Sequence, residues 1–403
     1  MGLHSPQRGD PLQVTAGVAR TRISMAFVTT YDATDVGQWS GTPYHMAHAF
    51  QSAGVRLHFI GPLSETRRSV NHGRRCAYRL LGRHYLPQRE PAVARGYARQ
   101  VAAALESLEA DVVFSPGTIP VAQLDCRQPI VIWTDATFAG MAEYYGPYSR
   151  LARRSLRQGH SLERAALSRC ALAVYSSQWA ADSAVENYQV DRRRVVVVPF
   201  GSNLEPGFAG EQVEAVVSGR PRDRCRLLLV GVDWQRKGAD IAVQAAVELN
   251  RAGLPTTLTV VGCRPPREAV LPACVDVLGF ISKATAAGRS QLERLFAAAH
   301  FFILPTRAEA FGNVLAEASA FALPSLATRT GGLATTIEDG VNGFLFDPAA
   351  GPEAYGAAVL ELFADAAAYR ALALSSFSAY ERRLNWRTNC SAVLRLMDEL
   401  PAG

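Results

Sequence analysis

The sequence predicts an α/β protein with two similar halves, each a parallel sheet with helices on both faces. Short apolar runs alternate with helical stretches along the chain, as they do in repeated β-α-β units. The alternation breaks once, at 200–224, and then restarts. The length of 403 residues also suits two α/β domains of ordinary size better than one core.

The first half contains six apolar runs whose length and composition are typical of buried parallel strands. These runs are 23–29, 55–60, 111–114, 130–133, 172–177 and 195–198. The stretches predicted to be helical between them are 42–53, 91–109, 151–169 and 178–188. We assign 1–22 to a polar N-terminal extension and 23–203 to an N-terminal domain.

The second half repeats the pattern after a linker rich in Gly, Pro and charged residues, which we place at 204–224. Its predicted strands are 226–231, 256–262, 275–280, 300–305, 324–328 and 344–346. Helices are predicted to begin near 238, 289 and 313, and the tail is helical. We assign 225–380 to a C-terminal domain and 381–403 to a final helix.

The charge of the chain narrows the range of partners. The formal net charge is +6, and all but two of the 42 basic residues are Arg. Genome composition explains such a bias, so it gives no reason to expect a nucleic-acid partner. A mildly basic surface suits a phosphorylated substrate or an anionic membrane, or is simply solvated. Against this background the two Lys residues, Lys237 and Lys283, stand out.

Cysteine usage and apolar runs bear on location. The seven Cys residues are scattered and form no Cys-x-x-Cys pair, which favours a reducing compartment over a disulfide framework or a zinc site. Residues 1–22 lack the apolar core of a signal peptide, and no apolar run approaches the roughly 18 to 20 residues of a membrane span. We expect a cytoplasmic protein, with peripheral contact at the inner face of the membrane left open.

The turn GVDWQRKGAD, which follows the first strand of the second half, carries Arg236, Lys237 and Gly238. Ligands of open α/β sheets bind at the carboxyl ends of the strands, where this turn lies. Adjacent basic side chains and the free N–H groups of a helix start suit a diphosphate. An ordinary solvated turn is the alternative, and the scarcity of Lys in this chain favours a function for Lys237.

The segment EAFGNVLAE follows a predicted strand and begins and ends with a carboxylate, Glu309 and Glu317. In one continuous helix the two would point about 80° apart, because each residue turns the helix by 100°. If a loop ends at Gly312 and the helix begins near Asn313, both carboxylates can reach one ligand. The N–H groups from Gly312 to Val314 then face the same ligand. Either Glu alone would more often be a solvated surface residue.

Two strand ends of the first half carry further candidates. The loop at 35–50 contains Gly41, which allows close backbone approach, but it lacks the G-x-G-x-x-G pattern of a nicotinamide dinucleotide site. His45 and His48 fit helix packing better than zinc, since no third ligand is in view. Asp135 follows a predicted strand, and it either caps the next helix or enters the space between the halves.

The sequence gives no reason to expect a bound metal or cofactor. It contains no Asp-x-Asp motif, so a divalent cation has no obvious ligand set. The turn Gly331-Gly332 follows the strand predicted at 324–328. It either lets a ligand approach the backbone or is a simple turn.

Together, RKG, LPTRAEAFGNVLAEA, the Gly-Gly turn and DGVNGF resemble the C-terminal half of glycosyltransferase family 4. The likeness covers roughly 225–400, and in the first 200 residues it is local, at SGTPYHMAHAFQSAG and VVVVPFGSN. It implies the GT-B fold, in which two Rossmann-like domains face each other across a cleft. The N-terminal domain would bind the acceptor and the C-terminal domain the nucleotide sugar, and the last helix would cross back to the N-terminal domain.

The resemblance also implies roles for individual residues. Glu309 would contact the transferred sugar, and Glu317 would bond the ribose hydroxyls. The loop from Gly279 to Ile281 would meet the nucleobase. The glycine-led turn that begins the helix after Glu309 would add backbone contacts to the nucleotide sugar.

Two departures from the family pattern shape the catalytic candidates. The family's usual Gly-Arg after the first C-domain strand is here Gly231 followed by Val, so we assign the second phosphate cation, beside Lys237, to Arg236. Asp135 falls where the family often carries a His-Asp pair, with Thr in place of the His. Together with Glu309, these two cations and Asp135 are the predicted catalytic residues.

We therefore expect a retaining, metal-independent glycosyltransferase. It would move a hexose-type sugar from a UDP- or GDP-sugar to a hydroxyl of a glycan, lipid-linked or small-molecule acceptor, in cell-envelope or exopolysaccharide synthesis. A secondary-metabolite glycosyltransferase and a non-catalytic sugar-nucleotide sensor or scaffold are the alternatives. Acceptor choice is expected in the Arg-rich segments 61–90 and 136–160, the second of which carries Tyr144, Tyr145 and Tyr148.

Overall fold

The computed structural model of the protein describes residues 23–66 and 68–400, so the predicted extension at 1–22 lies outside the described residues. Two parallel sheets of six strands each form the centre of the described part. Each sheet has a hydrophobic core on both of its faces, which explains the continuous apolar runs in the sequence. The predicted α/β class with two similar halves is confirmed.

The first sheet consists of β1 (Ser24–Val28), β2 (Arg56–Ile60), β3 (Val112–Ser115), β4 (Ile130–Thr134), β5 (Cys170–Tyr175) and β6 (Val195–Val197). Their spatial order is β2-β1-β3-β4-β5-β6, and every neighbouring pair is parallel. The register places Phe27 of β1 opposite Phe59 of β2 and Phe114 of β3. All residues of β1, β3 and β4 are buried, because packed elements cover both faces of the sheet.

The helices of the first half are α1 (Thr42–Ser52), α2 (Arg68–Leu80), α3 (Pro91–Leu105), α4 (Phe138–Met141), α5 (Arg153–Arg169) and α6 (Gln178–Tyr188). Helix α1 starts directly after Gly41, and Pro43 is tolerated in its first turn because the N–H that proline lacks has no partner there. Met46 and Phe50 lie one turn apart and are fully buried. Burying each side chain contributes roughly 1.5–3 kcal/mol to stability.

Helix α2 lies within 61–90, one of the two segments expected to choose the acceptor. Asn71 is its one buried residue, and the helix is described over its whole length. Almost all of its residues are therefore at least partly exposed. Its basic residues Arg68, His72, Arg75 and Arg79 recur at helical spacing, a periodicity from which the helix could have been predicted.

The second sheet consists of β7 (Cys225–Val230), β8 (Thr256–Val261), β9 (Val275–Gly279), β10 (Phe301–Leu304), β11 (Ser325–Thr328) and β12 (Gly343–Phe346). Their order is β12-β11-β10-β7-β8-β9, again with parallel pairs throughout. All twelve predicted strands are present, with ends within two residues of the predicted ones. The strand positions could be predicted from the sequence because each strand is a short apolar run bounded by turn residues.

The remaining helices are α7 (Val213–Ser218), α8 (Ala239–Arg251), α9 (Ala286–Ala298), α10 (Asn313–Ala320), α11 (Leu333–Thr336), α12 (Pro352–Ala364), α13 (Ala366–Arg383) and α14 (Trp386–Asp398). Helix α7 lies in the segment between the two sheets, which was predicted as an irregular linker. The helical tail is divided into α12, α13 and α14, and Asp365 caps α13 by accepting hydrogen bonds from two backbone N–H groups.

The last helix returns to the first half, as the GT-B prediction requires. Helix α14 packs against α1, and its Cys390, Val393 and Met397 belong to the hydrophobic core on one face of the first sheet. The Trp386 ring stacks on Phe200 with ring centroids 5.6 Å apart. Buried aromatic and aliphatic contacts thus hold the last helix of the chain against the first half.

Two further observations concern the environment of the protein. Over residues 23–66 and 68–400, no helix has both the length and the apolar character needed to cross a bilayer. All seven Cys residues carry free thiols.

Candidate active site

A cavity of about 420 Å³ lies between the carboxyl ends of the two sheets. Its volume falls within the range of about 300–1,000 Å³ that is usual for ligand pockets. Most of the residues predicted to form the site line it, and they come from both halves of the chain. They are Asp135, Arg236, Lys237, Ile281, Glu309, Gly312, Asn313, Val314 and Glu317.

Two predicted binding residues, Gly41 and Gly279, are not among those that line the cavity. Gly41 has a φ of 87° and Gly279 a φ of 67°, so each turns the chain in a conformation that favours glycine. Their neighbours, among them Thr42 and Phe280, line the cavity instead. The two predicted loops therefore reach the cavity through residues next to these glycines.

The turn after β7 brings Lys237 into the cavity. Gly238 has a φ of 69°, and a Cβ atom placed there would lie 1.9 Å from the carbonyl oxygen of Pro305, so both the turn and the close approach require glycine. Gly231 makes room in the same way, since a Cβ there would lie 2.6 Å from Cγ of Lys237. Lys237 is 6% exposed, and its Nζ lies 2.5 Å from Oε2 of Glu309.

Arg236 reaches the same carboxylate from the other side of the turn. Its Nη1 donates to the carbonyl oxygen of Ala308 at 3.0 Å and to Oε2 of Glu309 at 3.3 Å. Its guanidinium carbon also lies 5.5 Å from the ring centroid of Tyr145, a cation–π contact with the first half. Two adjacent cations therefore share one carboxylate oxygen, which places positive charge next to the space between the sheets.

Glu309 is held in its ionised form. Burial alone would raise the pKa of its carboxyl, but the charges of Lys237 and Arg236 and their hydrogen bonds more than offset that effect, and the pKa is lowered from its usual value. The backbone N–H of Glu309 donates to the hydroxyl of Tyr144 at 3.0 Å. The Tyr144 hydroxyl also lies 2.9 Å from Oγ1 of Thr330, so this tyrosine joins the two halves beside the site.

The second carboxylate of the motif, Glu317, is fully buried, and Lys283 forms an ion pair with its Oε1. Its other oxygen, Oε2, is buried without a hydrogen-bond partner in the described part of the chain. An unpaired buried polar group costs about 1–3 kcal/mol, so Oε2 is placed to accept a ligand hydroxyl. Sequence analysis did not assign Lys283 to the site. The sequence signal that could have identified it is the rarity of Lys, since the chain has only two. In the structure these two Lys residues pair with the two Glu residues of one motif.

Helix α10 begins at Asn313 directly after Gly312, whose φ of 77° ends the loop, as predicted. Glu309 consequently extends from the loop and Glu317 from the second turn of the helix. Both side chains line the same cavity. The side chain of Asn313 donates to Oγ1 of Thr42 at 2.7 Å, which ties the start of this helix to the start of α1.

Asp135 follows β4 and lines the cavity from the first half. The alternative that it caps the next helix is wrong, because Oγ1 of Thr137 accepts the N–H of Gly140 at 3.0 Å and so provides the cap of α4. Burial, with a further contribution from the charge of Glu309, raises the pKa of Asp135 to about 7. This carboxyl therefore exchanges a proton near neutral pH.

The Gly331-Gly332 turn serves the protein backbone and not a ligand. A Cβ atom on Gly331 would lie 2.0 Å from the carbonyl oxygen of Glu309, and one on Gly332 would lie 1.9 Å from that of Ala310. The two glycines let the loop that carries Glu309 lie directly against the turn after β11. Of the two interpretations of this turn, ligand approach is therefore wrong.

The histidine pair of α1 lies near the cavity without forming a metal site. His48 is exposed and stacks on Tyr44, and burial lowers the pKa of half-buried His45 to about 4, with a smaller contribution from the charge of Lys283. In the described ranges of the chain, no three His, Cys, Asp or Glu side chains are grouped so that they could hold a metal ion.

A second cavity, of about 650 Å³, adjoins the first and shares Asp135, Arg236 and Glu309 with it. Most of its other lining residues belong to the first half, including the segments 28–31 and 115–120, and Val232, Asp233 and Ala310 come from the second half. The Arg-rich segments expected to choose the acceptor contribute less than predicted. From 61–90 only Arg89 lines this cavity, whereas 136–160 contributes Tyr145, Tyr148 and their neighbours.

Two family models match the chain, one on each half. The model described as Glycosyltransferase Family 4 matches residues 42–206, and the model described as Glycosyl transferases group 1 matches residues 224–365. The first match spans most of the first sheet, and the second spans the whole of the second sheet.

Curated relatives are also named as glycosyltransferases. The D-inositol 3-phosphate glycosyltransferase of Acidothermus cellulolyticus is 31% identical over 222 residues, which is 52% of this chain and 49% of that protein. The protein of the same name from Streptomyces avermitilis is 31% identical over 226 residues, or 53% of this chain and 48% of that protein. The chain thus matches about half the length of these curated relatives.

Solved structures share the architecture. Sucrose-phosphate synthase from Thermosynechococcus elongatus aligns with a TM-score of 0.66 at 18% identity, over 94% of this chain and 99% of that chain. HepE of Anabaena, in complex with UDP and glucose, aligns with a TM-score of 0.59 at 16% identity, over 94% of this chain and 100% of that one. At these identities the likeness concerns the fold alone. With a family model on each half and this shared fold, the chain belongs to glycosyltransferase family 4 and has the GT-B fold.

Proposed function

We propose that this protein transfers a hexose-type sugar from a nucleoside diphosphate sugar to a hydroxyl of an acceptor. The observation that carries the proposal is the convergence of Arg236, Lys237, Glu309 and Glu317 on one cavity between the two sheets. Membership of glycosyltransferase family 4 supports the same reaction class.

The donor diphosphate would bind at the turn after β7. In the structure, Lys237 and Arg236 are both paired with Glu309. An arriving diphosphate offers these cations more negative charge than a single carboxylate does, and it would release Glu309 to contact the transferred sugar. When the bond from sugar to phosphate breaks, the leaving diphosphate gains negative charge, which preorganised cations stabilise.

The nucleoside would extend from the diphosphate towards Glu317 and the loop after β9. The unpaired Oε2 of Glu317 would accept a ribose hydroxyl, and Phe280 and Ile281 would lie beside the nucleobase. The Anabaena protein of similar fold is known in complex with UDP and glucose, which supports UDP as the first nucleotide to test. The acceptor would occupy the adjoining cavity of the first half.

We further propose that the reaction retains the configuration of the sugar, needs no metal and serves the synthesis of envelope glycans. The family resemblance supports retention, and the two cations that line the cavity, Arg236 and Lys237, support the hypothesis that no metal is needed. A protein of similar fold, WaaG, is a glycosyltransferase of lipopolysaccharide biosynthesis, which supports an envelope glycan as the product.

The test is to incubate the protein with a panel of UDP- and GDP-sugars, with and without acceptors, and to measure nucleotide release and the anomeric configuration of the product. We expect release with one nucleotide series and an unchanged anomeric configuration. Tight binding of a nucleotide sugar without any release would contradict the proposal and favour a sugar-nucleotide sensor. Arg193→Ala, a change at a highly exposed side chain far from the site in sequence, is the matched control for variants of the cations.

A further inference from the structure

The proposed acceptor cavity has an unusual balance of charge. Its charged lining residues, among those the structure describes, are Arg89, Asp135, Glu163, Asp233, Arg236 and Glu309. Four carboxylates therefore face two cations. Glu163 and Glu309 are paired with cations, which leaves Asp135 and Asp233 without an ion pair among the described residues, in a protein whose overall charge is +6.

Neither cation is free to bind an anionic acceptor. Arg89 is 3% exposed and its Nη1 donates to Oε2 of Glu163 at 2.9 Å. Its Nε is buried without a hydrogen-bond partner within the described chain. The hydroxyl of Thr118 donates to the same oxygen of Glu163 at 2.7 Å, which fixes the ion pair in place.

Arg236 is likewise engaged, by Ala308 and Glu309, and a bound donor diphosphate would compete for its remaining charge. Asp135 has no basic side chain in hydrogen-bond or ion-pair contact within 23–66 and 68–400. Once the diphosphate engages Arg236 and Lys237, Glu309 and Asp135 would face the acceptor together. A phosphate on the acceptor would then be repelled and a cation attracted.

Aromatic rings complete the walls of this cavity. Tyr31, Trp39, Tyr145 and Tyr148 line it. Such rings pack well against the apolar CH face of a cyclic polyol and also attract cations to their faces. The lining therefore combines ring-stacking surfaces with two carboxyl groups, those of Asp135 and Asp233, that form no ion pair among the described residues.

We propose that the acceptor is a cyclic polyol that carries an amino group, an aminocyclitol or amino sugar, and that its ammonium lies beside Asp135. This inference rests on the proposed sugar transfer, and it makes a small amino-bearing polyol the acceptor in place of an envelope glycan. It sets this chain apart from the relatives named for D-inositol 3-phosphate, whose printed name includes a phosphate. The amino group binds and does not react. In the transfer step an acceptor hydroxyl oxygen bonds the anomeric carbon, the bond from that carbon to the diphosphate breaks, and the hydroxyl proton leaves to the diphosphate.

The experiment uses the full chain and the donor that gives nucleotide release, and it compares three acceptors built on the same six-membered ring: 2-deoxystreptamine, myo-inositol and myo-inositol 1-phosphate. We expect kcat/KM for the aminocyclitol to exceed that for inositol by about tenfold, with the phosphate the poorest acceptor. Calorimetric binding of the same three compounds in the presence of UDP should give the same ranking. A phosphate or a neutral cyclitol that reacts or binds as well as the aminocyclitol would overturn the inference.

The variant Asp135→Asn tests the position of the ammonium. We expect the preference for the aminocyclitol over inositol to fall about tenfold, because the asparagine amide carries no charge. Asp135→Glu should restore most of that preference. Asp223→Asn, which changes an exposed carboxylate in the segment that connects the two sheets, should leave it unchanged. A preference that survives Asp135→Asn in the binding measurement would overturn the assignment.

The two proposals fail in distinguishable ways. If no nucleotide sugar is turned over with any acceptor, the proposed function fails, and the binding ranking still decides the acceptor class. If nucleotide is released and the phosphate ester is the preferred acceptor, the transferase function stands and only this inference is lost.

Discussion

The two edges of the cleft differ in how they are built. The edge of the second sheet takes its charged residues from two short segments, 236–237 and 309–317, and from Lys283. The edge of the first sheet takes its lining from scattered positions that lie between 28 and 163. The second edge carries three cations, whereas the charged lining residues of the first are Asp135 and the paired Arg89 and Glu163.

This difference reflects what each edge is proposed to bind. A diphosphate is a common ligand with fixed charge, and a turn at the start of a helix, with adjacent cations, suffices to hold it. A polyol presents hydroxyls in many directions, and side chains from several elements are needed to surround it. The donor side can therefore be encoded locally, while the acceptor side depends on the packing of the whole first half.

The largest expected effect tests the edge of the second sheet, where the donor is proposed to bind and which we call the donor edge. Lys237→Ala removes a buried cation from the diphosphate position, and loss of one such preorganised group typically lowers the rate about 10²–10³-fold. Nucleotide release at saturating donor measures the effect, and circular dichroism checks the fold. Arg193→Ala should leave the rate unchanged. An unaltered rate in Lys237→Ala would mean that the donor edge is not where the diphosphate binds.

A second prediction assigns different kinetic effects to the two glutamates of the donor edge. Glu309→Gln should lower kcat on the order of 10²-fold with little change in donor KM, because a contact that strengthens in the transition state affects kcat. Glu317→Ala should raise donor KM about tenfold or more with a smaller loss in kcat, because it removes a ground-state contact to the ribose. Steady-state kinetics with varied donor separates the two. Equal effects on both constants in both variants would contradict this division.

The third prediction concerns how the free energy of unfolding depends on pH through Asp135, at the edge of the first sheet where the acceptor is proposed to bind. The pKa of Asp135 is raised to about 7, so its proton stabilises the folded state. This contribution is complete at acidic pH, below the usual pKa of the carboxyl, and it is lost as the pH rises through about 7. Since one pKa unit corresponds to about 1.4 kcal/mol, and solvent reduces the effect at this half-buried position, we expect a loss on the order of 2 kcal/mol.

Thermal denaturation between about pH 5 and about pH 8.5 measures that loss. The melting temperature of the wild type should fall across this range more than that of Asp135→Asn, which does not titrate. Parallel curves for the two proteins would show that Asp135 keeps its usual pKa in the folded state.

The smallest effect is expected from removal of metal ions. If the cations of the donor edge replace a metal, a chelator should change the rate of transfer by less than about twofold. The same assay with Mg²⁺ added back is the control. Complete loss of activity that returns with Mg²⁺ would show that the side chains of this edge are not sufficient.

The sequence was most informative where function depends on neighbours in the chain. The positions of all twelve strands followed from buried apolar runs, and the loop that ends at Gly312 followed from one motif. Lys237 and Glu309 could be named because each lies directly after a strand, where topology alone fixes the edge of the sheet. In the same way, the family motifs implied the GT-B fold and the return of the last helix.

Only the tertiary structure decided which groups meet across the cleft. It paired Lys283 with Glu317 and placed Tyr144 against the backbone of Glu309. It also brought Arg89 and Glu163 together in one cavity, although they lie 74 positions apart. Such contacts depend on the angle and distance between whole sheets, which no local pattern encodes. Burial then sets the charge state of a group such as Asp135, because its pKa depends on the neighbours and solvent that folding brings or removes.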